Sequence, residues 1–315
     1  MKLRLKKLIK DNNASIISVF TLIMILSLII IFIIFLTSTI SINNQETSIL
    51  NDKNFEYHIE DYKRNIEIIS YNVLNKTIND HIKTREASTN SREEIKNRLN
   101  NRLKEINNDY YRNYNIKIDS NVLSVNNDDN PFNINIKVKL NFEKDNNTYS
   151  TIETYKISII GLEDPLPFLK LKNSDLTYNS TNFNYHNSLN SYLNEKSIDG
   201  SSYINSSSPL IFKKCPYEPY EIHGNNLSYN CIINNYYHES HDGSCIFCRL
   251  EGKADCNHYG LETFIVSCKN DKNKSISSPD HVIFSDNPYE GDKIVINDKT
   301  FLFLDNGHKN KYGFN

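Results

Sequence analysis

From Ala14 to Leu36 the chain reads ASIISVFTLIMILSLIIIFIIFL without one charged residue, and the next charge after Asp11 is Glu46. At about 1.5 Å per residue this run makes a helix of roughly 30 Å or more, the hydrocarbon thickness of a bilayer. A helix also satisfies its own backbone polar groups in lipid. The expectation is a transmembrane anchor over 14–40, with the lipid bilayer as the first partner. Lys2, Arg4, Lys6, Lys7 and Lys10 precede the run, and no Lys or Arg follows it until Lys53. Basic flanks stay inside, so 1–13 reads as a cytoplasmic segment and the C-terminal part as extracellular in a single-pass cell-membrane protein. A cleaved signal would have a shorter apolar region and a small-residue cleavage site, which Thr37-Ser38-Thr39 does not supply.

Beyond the anchor about 275 residues remain, enough for two modest domains. The net charge is -2, so there is no basic field for nucleic acid. Residues 41–54 are polar and poor in helix formers and read as a stalk. Phe55, Ile59, Tyr62, Ile66, Ile69 and Val73 then form an apolar stripe at helical spacing, ending near Lys83. Ser91-Arg92-Glu93-Glu94 has capping-box spacing and opens a second helix with Ile95, Leu99, Leu103 and Ile106 on one face. The period then changes to two. Ile116–Ile118, Val122–Val125, Asn133–Phe142 and Tyr149–Ile160 read as antiparallel strands, the last two joined by a turn over Lys144–Asn147. The first domain is therefore 55–160, with amphipathic helices on an antiparallel sheet.

Gly161–Pro167 breaks the pattern because Pro165 and Pro167 cannot donate to a ladder. It reads as a junction, with Glu163-Asp164 in a solvated turn. The second domain, 168–315, has a short helix near Ser188–Leu193. Strands follow at Glu262–Ser267, His281–Phe284, Lys293–Ile296 and Thr300–Leu304, the last pair a hairpin. The expected fold class is thus α+β: a transmembrane helix, helices on an antiparallel sheet, then a disulfide-rich and mostly β second domain.

All six cysteines fall between Cys215 and Cys268. An even, clustered set on an oxidising face reads as three disulfides among Cys215, Cys231, Cys245, Cys248, Cys256 and Cys268. One arrangement pairs Cys256 with Cys268 and leaves Cys215 and Cys231 for Cys245 and Cys248. Two other readings attach to Cys245-Ile246-Phe247-Cys248. A redox pair would need a thioredoxin-like setting, and the flanks show none. A zinc site would use Cys245, Cys248, Cys256 and His258, although the C-x-H half is unusually tight. His238-Glu239-Ser240-His241-Asp242 lacks the H-E-x-x-H spacing and reads as an exposed loop beside the turn Asp242-Gly243. No phosphate loop, nucleophile elbow or helical acid pair is present. Neither a catalytic residue nor a cofactor is expected.

Gly161-Leu162-Glu163-Asp164-Pro165, Arg249-Leu250-Glu251-Gly252, Tyr259-Gly260-Leu261-Glu262-Thr263-Phe264 and Ser277-Ser278-Pro279-Asp280-His281-Val282-Ile283-Phe284 resemble single-anchor surface proteins of methanogenic archaea, related in layout to archaeal type IV pilin-like proteins. That resemblance implies one apolar N-terminal helix bearing an external β-rich domain. A Glu shortly after a prepilin cleavage site, as in many pilins, is absent from Ser15 to Leu28. The expected function is a non-enzymatic structural or adhesive envelope protein, with a minor pilin-like subunit as one form and envelope or filament proteins as partners. Alternatives are a ligand-binding ectodomain and an envelope enzyme using a metal at Cys248, Cys256, His238, His241 or His258.

Overall fold

The computed structural model describes residues 2–171, 185–196, 206–207, 210–267, 275–285, 291–298 and 300–314, with side chains placed for 21–37, 53–171, 188–196, 210–265, 277–285, 291–298 and 300–314. The chain divides into two units, Met1–Tyr62 and Lys63–Asn315. Helix α1, Lys2–Thr84, makes up the first and continues into the second.

The expected transmembrane anchor over 14–40 is not supported. Among the described residues no helix is long and apolar enough to cross a membrane. The apolar run is no separate element: α1 carries on through the polar residues 41–54, where a stalk was expected. The apolar side chains described within the run, from Leu22 to Leu36, are exposed. The single-pass membrane localisation and its inside–outside topology fall with the anchor.

Phe55, Ile59, Tyr62 and Ile66 are buried along α1, as expected. Beyond them the buried positions are Ser70, Leu74, Thr77, Ile78 and Ile82, not Ile69 and Val73. A straight α-helix turns every 3.6 residues, so a stripe read at heptad spacing drifts round it by about 20° per heptad.

Helix α2, Ser91–Tyr114, buries Ile95, Leu99 and Leu103. Its cap lies one residue earlier than the capping-box reading placed it. Asn90 Oδ1 accepts from the Glu93 amide at 3.2 Å, while the Ser91 hydroxyl is buried and donates to Phe247 O at 3.1 Å and Glu251 Oε1 at 2.9 Å. Arg98 pairs with Asp80 at 2.5 Å and His81 with Glu94 at 2.9 Å, joining α2 to the end of α1.

Strands β1 (Lys117–Asn127), β2 (Asn133–Lys144) and β3 (Asn147–Ser158) form one antiparallel sheet in that order. The two short strands expected at Ile116–Ile118 and Val122–Val125 are one. A register shift between Val122 and Ser124 leaves Leu123 outside the ladder and exposed, which hid the continuity. Ile134, Ile136, Val138, Leu140 and Phe142 alternate into the core. Lys144 pairs with Asn147 across a two-residue turn, with Asp145 in the left-handed region at φ 54°.

Gly161–Pro167 lies inside the second unit. Pro165 opens the short helix α3, Pro165–Lys170, where its missing N–H costs nothing. Asp164 caps it, accepting from the Leu166 amide at 3.0 Å. Asp164 is completely buried, not part of a solvated turn.

The remainder is less β-rich than expected. Helices α4 (Tyr185–Glu195), α5 (Gly224–Asn234), α6 (Ile246–Leu250), α7 (Asp280–Phe284) and α8 (Asn306–Lys311) interleave with strands β4 (Ser206–Ser207), β5 (Tyr237–Ser240), β6 (Gly260–Thr263), β7 (Val266–Ser267), β8 (Ser275–Ser277), β9 (Asp292–Val295) and β10 (Thr300–Leu304). β10 lies between β8 and β9, while β5 pairs β6 and β4 pairs β7. β10 runs parallel to β8 and antiparallel to β9, the latter being the expected hairpin. His281–Phe284, read as a strand, is helix α7. A short buried apolar run does not distinguish helix from strand, and Pro279-Asp280 starts a helix. The expectation of a mostly β second domain is corrected accordingly.

Candidate metal centres

Arg249 organises the C-terminal body. Its side chain is wholly buried, with Nη1 2.6 Å from Asp164 Oδ2 and Nη2 2.8 Å from Asp280 Oδ2. It also donates to Leu261 O at 2.7 Å and Ser244 O at 3.1 Å. Burial opposes its charge, but the two carboxylates more than offset that and raise its pKa further. One side chain thereby ties α3, α6, β6 and α7 together. Ser91 reaches the same helix α6 from α2.

Two Cys/His quartets lie in this body. The first joins Cys215, His223, Cys231 and His238. The Cys215 amide donates to Tyr237 O at 3.0 Å, pinning Cys215 beside β5. His223 follows a 3-10 turn, Tyr220–Ile222, and leads into α5, which carries Cys231. His238 comes from β5. Cys215 Sγ is 3.4 Å from Cys231 Sγ and 3.5 Å from His223 Nε2. All four are buried, and neither ring nitrogen of His238 nor Nδ1 of His223 has a hydrogen-bond partner. The hydrogen bond from the Cys231 thiol lowers the Cys215 pKa against the effect of burial, with His223 and His238 assisting. Burial lowers the pKa of His238 despite the opposing Cys215. A thiolate beside a neutral imidazole is the protonation state a metal requires.

The second quartet joins Cys245, Cys248, Cys256 and His258. Cys245 caps α6 and Cys248 lies one turn on, so their sulfurs face the same side. Cys245 Sγ and Cys248 Sγ are 3.8 and 3.7 Å from His258 Nδ1. The Cys245 amide donates to Cys256 Sγ at 3.4 Å. The Cys248 and Cys256 thiols lower the Cys245 pKa, and sharing the proton raises that of Cys248. The tight Cys256-Asn257-His258 half closes because two glycines admit a close backbone approach. A Cβ on Gly260 would lie 2.5 Å from Ser244 C, and one on Gly243 2.1 Å from Leu261 O. Ser244 and Leu261 exchange backbone hydrogen bonds at 3.2 and 3.1 Å across that contact.

Tetrahedral zinc with Zn–S of about 2.3 Å and Zn–N of about 2.0–2.1 Å sets S···S near ~3.8 Å and S···N near ~3.5 Å. The separations in both quartets lie within about 0.4 Å of these values. They do not match a disulfide, whose sulfurs lie about 2.05 Å apart. Cys215, Cys231, Cys245, Cys248 and Cys256 are all free thiols in this structure, and Cys268 lies outside the described residues.

The structure thus brings together Cys245, Cys248, Cys256 and His258, the set with zinc-like spacing in the sequence. It separates the two histidines of 238–242. His238 enters the first quartet, while His241 stacks on Tyr259 with ring centroids 4.6 Å apart and joins neither. His223 stands alone in the sequence. Its only signal is the near-regular recurrence Cys215, His223, Cys231, His238. Arg249 carried no signal beyond its place after the cysteine pair. The chain matches no known protein family, no curated protein and no solved structure.

Proposed function

We propose that this chain is a non-enzymatic structural metalloprotein, whose C-terminal body is held in shape by two zinc ions and serves as a scaffold or adhesive surface. The observation that carries the reading is the pair of quartets, each with four protein donors within 4.8 Å of one another. Four protein ligands leave no open position for substrate, which is the arrangement of structural rather than catalytic zinc. Metal binding to such a body contributes folding free energy on the order of 10 kcal/mol per site. A Cys215–Cys231 disulfide would occupy two sulfurs and engage neither His223 nor His238. A metal would engage one atom of each of the four residues, Nε2 in the case of His223.

The test is titration of the purified chain with an organomercurial while zinc release is followed with a chromogenic chelator. Two zinc ions released in step with thiol capture, together with loss of far-UV dichroism, support the reading. Thiols that react without releasing zinc, or that are absent because they are oxidised, overturn it.

A further inference from the structure

A third group, Glu262, His281 and His308, differs in chemistry from the quartets because it holds no sulfur. Glu262 lies on β6, His281 on α7 and His308 on α8, so three separate elements converge. Glu262 Oε2 is 3.2 Å from His308 Nε2 and 3.5 Å from His281 Nδ1. Ligands about 2.0–2.1 Å from one tetrahedral ion would lie roughly 3.3 Å apart.

The surroundings fit a metal's outer shell. His308 Nδ1 is 2.9 Å from Asp305 Oδ1, the carboxylate–histidine pairing that fixes the tautomer and turns Nε2 towards Glu262. Ser240 donates to Glu262 Oε2 at 2.7 Å, and Lys311 reaches Oε1 at 2.7 Å, with Tyr312 donating to the same oxygen. His281 is held by its own backbone: its amide donates to Asp280 Oδ1 at 2.9 Å, and Asp280 is locked to Arg249. Yet its ring, 4% exposed, has no hydrogen-bond partner on either nitrogen among the described residues. A buried imidazole beside a carboxylate and a second imidazole, with nothing donating to its lone pair, is costly unless a ligand completes it. A proton shared between His308 and Glu262 would satisfy those two residues and leave His281 unsatisfied.

Asp242 lies on the solvent side of the group: its Oδ2 is 3.9 Å from His308 Nε2, and its side chain is 67% exposed. A fourth ligand would come from that side, either its carboxylate or a solvent oxygen.

We propose that Glu262, His281 and His308 form a third divalent-metal site, of the nitrogen/oxygen type that takes zinc or a similar first-row ion, with one coordination position open towards Asp242. Three protein ligands and one exchangeable position distinguish it from the closed quartets. The site is independent of the quartets, since none of its donors is a cysteine.

The full chain, stripped of metal under reducing conditions, is titrated with Co(II) and followed spectroscopically. Ions in the quartets give intense sulfur-to-cobalt charge-transfer absorption. The expected result is one further ion per chain with only weak visible d–d bands and no charge transfer, removable by a chelator without thiol capture. His281→Gln should weaken that ion alone by roughly 100-fold or more, from the loss of a direct ligand, and leave the charge-transfer bands intact. Those bands also report that the variant has folded. Cobalt bound only with charge-transfer bands, or a thiolate-free ion that His281→Gln and His308→Gln both leave unchanged, overturns the proposal. Loss of charge transfer with the thiolate-free ion retained would instead count against the quartets.

Discussion

Replacing Arg249 by Met keeps the aliphatic stem and removes the guanidinium. The change takes away ion pairs of 2.6 Å to Asp164 and 2.8 Å to Asp280, together with the donors to Leu261 O and Ser244 O. Breaking one buried pair from one side costs about 3–5 kcal/mol, because the partner stays buried and uncompensated. Two carboxylates are abandoned here, but neither is left bare. Asp164 keeps the Tyr237 hydroxyl at 3.0 Å and the Leu166 amide, and Asp280 keeps the Thr263 and His281 amides at 3.1 and 2.9 Å. The loss should therefore stay near about 4 kcal/mol rather than doubling. Arg249→Lys restores a charge but cannot span both acids with a fork, and should recover about half of the loss. Urea unfolding of zinc-loaded protein, followed by circular dichroism, measures the difference. The combined change Asp164→Asn with Arg249→Met should cost less than the sum of the two single changes, since each removes the other's stranded charge. An Arg249→Met protein within about 1 kcal/mol of wild type would refute the claim that this side chain ties four elements together.

Cys231→Ala should abolish one bound zinc and lower the thermal midpoint markedly, whereas His241→Ala should change neither, as read by metal content and calorimetry. Gly260→Ala forces a Cβ to within 2.5 Å of the Ser244 carbonyl carbon. It should destabilise by about 1–3 kcal/mol and loosen the zinc at Cys245, Cys248, Cys256 and His258, as measured by chelator competition. Glu94 works against burial, but Ser88, His81 and Arg98 hold its pKa below the ordinary value. Its contribution is therefore present above the unfolded-state value near 4.3 and is lost as pH falls through the lower folded value. The stability gap between wild type and Glu94→Gln should close below about pH 4, and a gap that widens there would contradict the assignment.

Much of the sheet and its helices was legible because alternation and helical spacing are local. Ile134 to Phe142 names its own buried face, and the Lys144–Asn147 turn names its hairpin. The heptad stripe failed beyond Ile66 because a straight helix does not keep that period. The 14–40 run showed what composition alone cannot settle: its apolar residues do not form a separate spanning element, and the helix passes straight on into polar sequence. In the C-terminal body the Cys245–His258 spacing was visible, since helix geometry dictates it. The other convergences join residues far apart in the chain. His223 meets His238 through α5 and β5, and His281 meets His308 through α7 and α8. Buried ion pairs such as Asp164–Arg249–Asp280 leave no periodic trace. An acid beside a proline reads as a surface turn until an arginine 85 positions away is found against it.

The most direct test of the metal-held body is intact mass spectrometry of the freshly purified chain, prepared without chelator, in native and then denaturing solvent. Zinc carried in native solvent, and described cysteines that all alkylate once the metal is shed, is the predicted result. A metal-free native chain whose mass falls short by two hydrogens for each cysteine pair would show disulfides in place of zinc and contradict it.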